Sequence, residues 1–131
     1  ILGYWGEYLY HRLMTDKSKF WDKIADKYAK RPVSDQAAYE KKLALSQAYF
    51  EPNMAVLEFG CGTGSTAIVH APYVKHIHAI DISSKMLDIA AQRAGAASIE
   101  NITFEQKGID DLTVPNESFD VVLGLSILHL L

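Results

Sequence analysis

Apolar residues change their spacing several times along the chain, and each change predicts an element. Between Ser18 and Lys30, Phe20, Trp21, Ile24, Ala25 and Tyr28 fall at helical spacing with Lys and Asp between them, the pattern of an amphipathic helix. Arg31-Pro32 ends it, because the residue before a proline is pushed out of the α region. Ser34 or Asp35 then caps a second helix to about Phe50, with Tyr39, Leu43 and Ala44 on one side, and Pro52 ends that one. The spacing next contracts to short apolar runs, which predict strands at Ala55 to Phe59, His76 to Ile80 ending at Asp81, Ile102 to Gln106, and Phe119 to Gly124. The last is Val-Val-Leu rich, as buried parallel strands are. Helical stretches lie between them. One runs from about Thr63 to Ala71 and is closed by Pro72. The other is capped by Ser83 or Ser84 and packs through Leu87, Ala90, Ala91 and Ala94, with Gly95 suited to its C-terminal end. Pro115 to Ser118 reads as a turn, and the aromatic-rich start, with Tyr4, Trp5, Tyr8 and Tyr10, has no clean period and reads as weakly helical or disordered.

Strands alternating with helices of this length imply βαβ units, right-handed crossovers and a parallel sheet. The expected fold class is therefore α/β, a Rossmann-like three-layer sandwich preceded by helices. In such sheets ligands sit beyond the carboxyl ends of the strands, where the strand order switches. The turn after the first strand, Asp81, the stretch Gly108 to Asp110 and the end of the fourth strand all occupy carboxyl ends, so they can converge although far apart in sequence.

Composition narrows the function classes. At 131 residues the chain is one domain at most, and its 49% apolar and 22% charged content are ordinary for a globular protein. A net charge of −3 argues against a surface built to grip phosphates, so no nucleic-acid partner is expected. A total does not exclude a small basic patch. The single cysteine rules out an internal disulfide and fits a reducing compartment. No apolar run approaches the ~18 residues of a membrane span, and the start lacks the layout of a signal peptide, which makes cytoplasmic the default. The chain begins at Ile1, and Met14-Thr15-Asp16-Lys17 would make a natural start, so residues 1–13 are expected to be extraneous or disordered. Residues 14–53 form an expected helical cap, and residues 54–131 a ligand-binding domain that stops inside an apolar segment at Leu130-Leu131, as an interrupted domain would.

The chemistry gathers at Val56-Leu57-Glu58-Phe59-Gly60-Cys61-Gly62-Thr63-Gly64-Ser65. Three glycines at alternate positions let the backbone turn tightly and approach a ligand without a Cβ in the way, and Thr63 or Ser65 can cap the helix that follows. A dinucleotide fingerprint, Gly-x-Gly-x-x-Gly, would place its third glycine at 65, where this chain has Ser65. Glu58, two residues before the first glycine, would repel a pyrophosphate but suits an ammonium or another cation. Asp81, 21 positions after Gly60, is placed to accept from both hydroxyls of a ribose and disfavours a 2′-phosphate. Alone, Asp81 reads equally well as the N-terminal aspartate of the next helix, and glycines alone as loop geometry.

Taken in order, these residues resemble the class I S-adenosylmethionine-dependent methyltransferases. Glu58-Phe59-Gly60-Cys61-Gly62-Thr63-Gly64 looks like their first motif, Asp81 like the acidic end of their second strand, and Phe119-Asp120-Val121-Val122 like their fourth-strand motif. Ile109-Asp110-Asp111-Leu112 is similar to the stretch after the third strand that holds adenine, and the resemblance covers about Phe20 to the end. It implies the N-terminal half of that fold, S-adenosylmethionine as cofactor with S-adenosylhomocysteine as product, and a small-molecule methyl acceptor. It also implies cofactor contacts from Glu58, Phe59, Gly60, Cys61, Gly62, Gly64, Asp81, Ile82 and Met86, an adenine border at Gly108, Ile109 and Asp110, and Leu125 along the cofactor. Tyr28, on the N-terminal helix, would be a lid residue. The family often carries an Asp where this chain has Gly108, so the contact to the adenine amino group must come from Asp110, backbone or water, or be absent.

Methyl transfer from a sulfonium asks the protein mainly to align donor and acceptor and to exclude water. Where an acceptor needs a general base, His129 is the candidate, since an imidazole titrates near neutrality; packing at a strand-to-helix junction is the plainer role for it. His76 and His78 share a strand face with no third ligand in sight, so no metal site is expected. Cys61 reads as a small turn residue because nothing nearby marks an activating base. Two other readings compete: a non-catalytic cofactor-binding fragment, and an NAD-linked oxidoreductase, which Ser65 and Glu58 disfavour. A fourth strand left as an apolar edge would favour self-association.

Overall fold

The structure, a computed structural model, describes residues 22–23, 25–26, 36–111 and 119–124. Helix α1 (Gln36–Tyr49) leads, through a turn closed by the Met54 amide on the Glu51 carbonyl, into strand β1 (Ala55–Phe59). There follow α2 (Ser65–His70), a 3-10 turn (Ala71–Tyr73), β2 (His76–Asp81), α3 (Ser84–Ala96), β3 (Ile102–Gln106), a second 3-10 turn (Ile109–Asp111) and β4 (Val121–Leu123). Residues 22–23 and 25–26, within the first expected helix, are helical.

All strand pairs are parallel, in the order β3-β2-β1-β4. The chain steps outward from β1 to β3 and then returns to the other side of β1. The strand order therefore reverses at the carboxyl end of β1, the place where open α/β sheets bind ligands. Register fixes which residues face the helices. Val56 lies level with Ile77 and Val121, and Ile77 with Ile102, while Glu58 lies level with Ala79 and Leu123. Because side chains alternate along a strand, this row faces α2 and α3, and its apolar members form the main core with Ala67, Ala71, Val74 and Leu87. Small residues set how closely the helices approach. A Cβ on Gly64 would come within 2.9 Å of the Ala90 Cβ. On the opposite face, His76 and His78 bond Thr103 and Glu105 across β2 and β3, each at 2.8 Å, and Lys107 pairs with Glu105 at 2.7 Å.

Helix α1 docks on α2 through a buried hydrogen bond between the Tyr39 hydroxyl and Thr66 Oγ1 (2.8 Å). His70 closes that contact, fully buried and edge-on to Phe50. The Leu43 carbonyl lies close enough to act on the His70 ring, yet neither ring nitrogen makes a hydrogen bond of good geometry among the described residues. Burial chiefly holds its pKa down to about 4.

Several boundaries differ from expectation, each for a local reason. Neither Thr63 nor Ser65 caps α2. The position before the helix belongs to Gly64 at φ 81° with no side-chain cap, and both hydroxyls instead accept from Arg93 Nη1, at 2.9 and 3.2 Å. Pro72 does not end the chain's helical path but sits inside the 3-10 turn, where its missing N–H costs little. At α3, Ser83 is the cap and accepts from the Met86 amide, but Gly95 is not the terminating residue. The helix runs to Ala96, and Ser98 takes the left-handed conformation (φ 58°). The Ser98 and Ile99 amides then return to the carbonyls of Gly95 and Ala94, at 3.0 and 2.9 Å, a Schellman closure with serine where glycine is usual. Strand β4 is three residues, shorter than Phe119 to Gly124. Asp120 precedes it and holds its start to β1, its amide donating to the Ala55 carbonyl and its Oδ2 accepting from the Ala55 amide, both at 2.8 Å.

Candidate cofactor site

The loop after β1 spirals through three left-handed glycines, Gly60 (φ 62°), Gly62 (φ 56°) and Gly64 (φ 81°). A side chain at these angles is strained, so glycine at alternate positions is what lets β1 enter α2 this way. Two clamps fix the loop. On the side of β2, the Cys61 amide donates to the Ile80 carbonyl (3.0 Å) and the Gly62 amide to Asp81 Oδ2 (2.9 Å). On the side of α3, Arg93 reaches the Thr63 carbonyl and hydroxyl and the Ser65 hydroxyl.

Asp81 serves two elements at once. Its Oδ2 takes the Gly62 amide, and its Oδ1 takes the Ser83 amide (2.9 Å). The helix-start role expected of this residue is therefore present, and beside it stands a contact to the glycine loop that the sequence did not indicate. With about four lone-pair sites on its two oxygens, the carboxylate keeps acceptor capacity beyond these amide contacts. Burial raises the Asp81 pKa, against the lowering effect of the Ser83, Gly62 and Ile82 amides.

Glu58 lies under the loop, 1% exposed, and its Oε1 has no hydrogen-bond partner among the described residues. Burial first, and the nearby Asp81 charge second, push its pKa up to about 8. A buried carboxyl with an unused oxygen is costly, and a cation brought to the loop would offset that cost. Cys61 is buried beside it, its thiol pushed well above the ordinary range by burial and then by Glu58 and Asp81. It is held as a neutral thiol, in keeping with a turn residue.

The remaining expected residues divide into three groups. Gly108 lies against Ile82, whose Cγ2 would sit 3.8 Å from a Cβ there, and the Lys107 amide donates to the Asp81 carbonyl at 3.0 Å, so the ends of β2 and β3 meet. Ile109 and Asp110 lie in the 3-10 turn that follows, with the Asp110 side chain exposed. Met86 is buried in the first turn of α3, and Phe59 is buried at the end of β1. Tyr28, Leu125 and His129 lie outside the described residues. Two residues that shape the site carry no local signal in the sequence. Arg93 reaches the loop only because α3 packs beside α2. Gly124 is buried at the end of β4, where a Cβ would lie 2.3 Å from the Phe59 ring, so that β4 and β1 close together only over a glycine.

The residues present fit a cofactor that carries a ribose and a positive charge. Asp81 offers acceptors to hydroxyls, the glycine loop offers close backbone approach, and the orphaned Glu58 oxygen suits an ammonium better than a phosphate. A four-stranded parallel sheet in this order, with helices between its strands, has the α/β architecture of the class I methyltransferase fold. The chain belongs to the methyltransferase domain family, whose model matches residues 56–131. It is similar to the uncharacterised methyltransferase YcgJ of Bacillus subtilis, 29% identical over 109 residues that cover 83% of this chain and 42% of YcgJ. The crystal structure of YcgJ superposes with a TM-score of 0.62 at 30% identity, over 65% of this chain and 37% of that one. A 27-O-demethylrifamycin SV methyltransferase of Amycolatopsis mediterranei is 30% identical over 127 residues, 95% of this chain and 42% of that enzyme. An uncharacterised RNA methyltransferase of Staphylococcus aureus is 29% identical over 97 residues, 67% of this chain and 21% of its own length. The chain thus spans less than half the length of these curated relatives. No helix among the described residues is long and apolar enough to cross a membrane.

Proposed function

We propose that this chain is the cofactor-binding part of an S-adenosylmethionine-dependent methyltransferase that acts on a small-molecule acceptor. The observation that carries the reading is the pair of acids at one loop: Glu58, buried with an unused oxygen, and Asp81, clamped to the Gly62 amide with acceptor capacity to spare. When bound, S-adenosylmethionine supplies a methyl group on a sulfonium that passes to the acceptor by in-line displacement. Glu58 supplies negative charge toward the amino-acid end, and Asp81 accepts from the ribose hydroxyls. Gly60, Gly62 and Gly64 keep the backbone bare where it meets the ligand, and the turn from Gly108 to Asp110 borders the base. His129, as a general base toward the acceptor, Tyr28, as a lid, and Leu125, along the cofactor, belong to the same proposal on the sequence pattern alone.

Isothermal calorimetry with S-adenosylhomocysteine and with NAD tests the reading. Binding of the former in preference to the latter is expected, and tighter binding of NAD overturns it. A net charge of −3 favours a small acceptor over RNA. An activity that requires an RNA acceptor and ignores small ones refutes that part. The chain spans 42% of each of two relatives, and a second reading has residues 1–131 bind cofactor without transferring a methyl group by themselves. It predicts full S-adenosylhomocysteine affinity with no methyl transfer by this chain.

A further inference from the structure

The first turn of α3 is capped twice. Ser83 caps it from within, accepting from the Met86 amide at 3.2 Å. Asp22, from the N-terminal helical segment, caps it from outside, its Oδ1 accepting from the Ser83 hydroxyl and from the Lys85 amide (3.3 Å). Ser83 is fully buried, and its own amide donates to Asp81 Oδ1. One continuous set of hydrogen bonds therefore runs from Asp22 through Ser83 to Asp81 and on to the Gly62 amide of the glycine loop.

From this chain of contacts we infer that Asp22 is a positioning residue that couples the docking of the N-terminal segment to ligand binding at Asp81. The inference rests on the cofactor reading above. Asp22 and Ala25 lie three apart, on one side of a helical turn, and Ala25 is fully buried. The segment is thus seated by an apolar contact and oriented by a charged one. Asp22 gains from its place because the free amides at a helix N-terminus favour an anion. It also completes the donor capacity of Ser83, whose hydroxyl has no other acceptor in this set. With Asp22 in place, the Ser83 hydroxyl holds one orientation and the backbone at the start of α3 is held at Ser83 and Lys85, which steadies the Ser83 amide that Asp81 Oδ1 accepts from. Linkage then runs both ways: a ligand that bonds Asp81 steadies Ser83 and Asp22, and a docked Asp22 slows loss of the ligand.

The test compares the full chain with Asp22→Ala and Asp22→Asn. The asparagine oxygen can accept both hydrogen bonds without the charge, and it also serves if the alanine variant fails to fold. Hydrogen exchange at residues 22–26 and the dissociation rate of S-adenosylhomocysteine are measured for each, alongside Tm. In the full chain, S-adenosylhomocysteine slows exchange at residues 22–26. In Asp22→Ala that protection is lost and dissociation is faster by roughly ten-fold, the scale of one charge-assisted hydrogen bond, and Asp22→Asn, whose hydrogen bonds lack the charge, restores about half of both on a logarithmic scale. Unchanged exchange and dissociation in Asp22→Ala overturn the inference. So does faster exchange with unchanged dissociation, because Asp22 would then dock the segment without coupling it to the ligand. Asp22→Asn behaving like Asp22→Ala overturns the hydrogen-bond basis. If S-adenosylhomocysteine fails to bind the unaltered chain, the cofactor reading falls and the coupling falls with it. That result is separate from one in which the unaltered chain binds and Asp22→Ala binds equally.

Discussion

Replacing Glu58 by Gln removes a charge while keeping the shape of the side chain, and it tests the site through stability as well as binding. Burial raises the Glu58 pKa from 4.5 to about 8. Below pH 4.5 the carboxyl is neutral in both folded and unfolded chains, and its contribution to stability is complete. As the pH rises past 4.5 the unfolded chain ionises first, so stability falls steadily, and the loss levels off only above about 8. At 1.36 kcal/mol per pH unit, the whole window is worth at most about 5 kcal/mol, of which about 3 kcal/mol is already lost at pH 7. The Glu58→Gln variant has no such loss, although its amide inherits an unsatisfied site worth about 1–3 kcal/mol. The variant should therefore be less stable than the native chain at pH 5 and more stable, by about 2–4 kcal/mol, at pH 8.5. Urea unfolding of both proteins across pH 5 to 9 gives the crossing point directly. Calorimetry in buffers of different ionisation enthalpy supplies the second half. S-adenosylhomocysteine should release a proton from the native chain at pH 7, as its ammonium favours the ionised carboxylate, and release none from Glu58→Gln, which binds more weakly. A stability difference between the two proteins that does not change with pH refutes the burial argument. Equal affinity and equal proton release refute the assignment of Glu58 to the ammonium.

Three further outcomes follow from particular contacts. His70, held neutral at a pKa of about 4 against an ordinary 6.5, contributes stability that is complete above pH 6.5 and lost as the pH falls toward 4. The loss amounts to up to about 3 kcal/mol, and His70→Leu should remove that limb from a pH series of unfolding curves. Ser98→Gly should stabilise the chain by roughly 0.5–1 kcal/mol, since Ser98 holds a left-handed angle that costs glycine nothing; an unchanged urea midpoint refutes this. Gly124→Ala would drive a methyl into the Phe59 ring, so it should lower stability by about 1–3 kcal/mol, with weaker S-adenosylhomocysteine binding as the ring shifts at the end of β1.

Elements of the sheet were legible because the periods of the sequence are clean where burial is one-sided or complete. Short stretches rich in apolar and β-branched residues at Ala55, His76, Ile102 and Val121 became strands, and Tyr39 and Leu43 became the buried side of α1. The ends of helices were less legible. Thr63 and Ser65 look like caps in isolation, but Arg93, 28 residues beyond Ser65, takes their hydroxyls. Gly95 looks like a helix end, but Ile99 must reach the core, which places the reversal at Ser98. Asp81 was legible as an acid at a strand end, and its division between the glycine loop and α3 was not.

The sequence by itself determined the α/β class and the place of the glycine loop between β1 and the helix after it, with Glu58 before the loop and Asp81 at the end of the next strand. These depend on local backbone conformation and on residue type, which neighbours in sequence report. Only the tertiary structure decided that Glu58 lies buried with an oxygen unused, that Gly124 must be bare for Phe59 to lie beside it, and that Arg93 and Asp22 hold the loop and the start of α3. Those facts arise where parallel strands and their crossover helices bring distant residues within a few ångströms, and no period in the chain records which side chains will meet there.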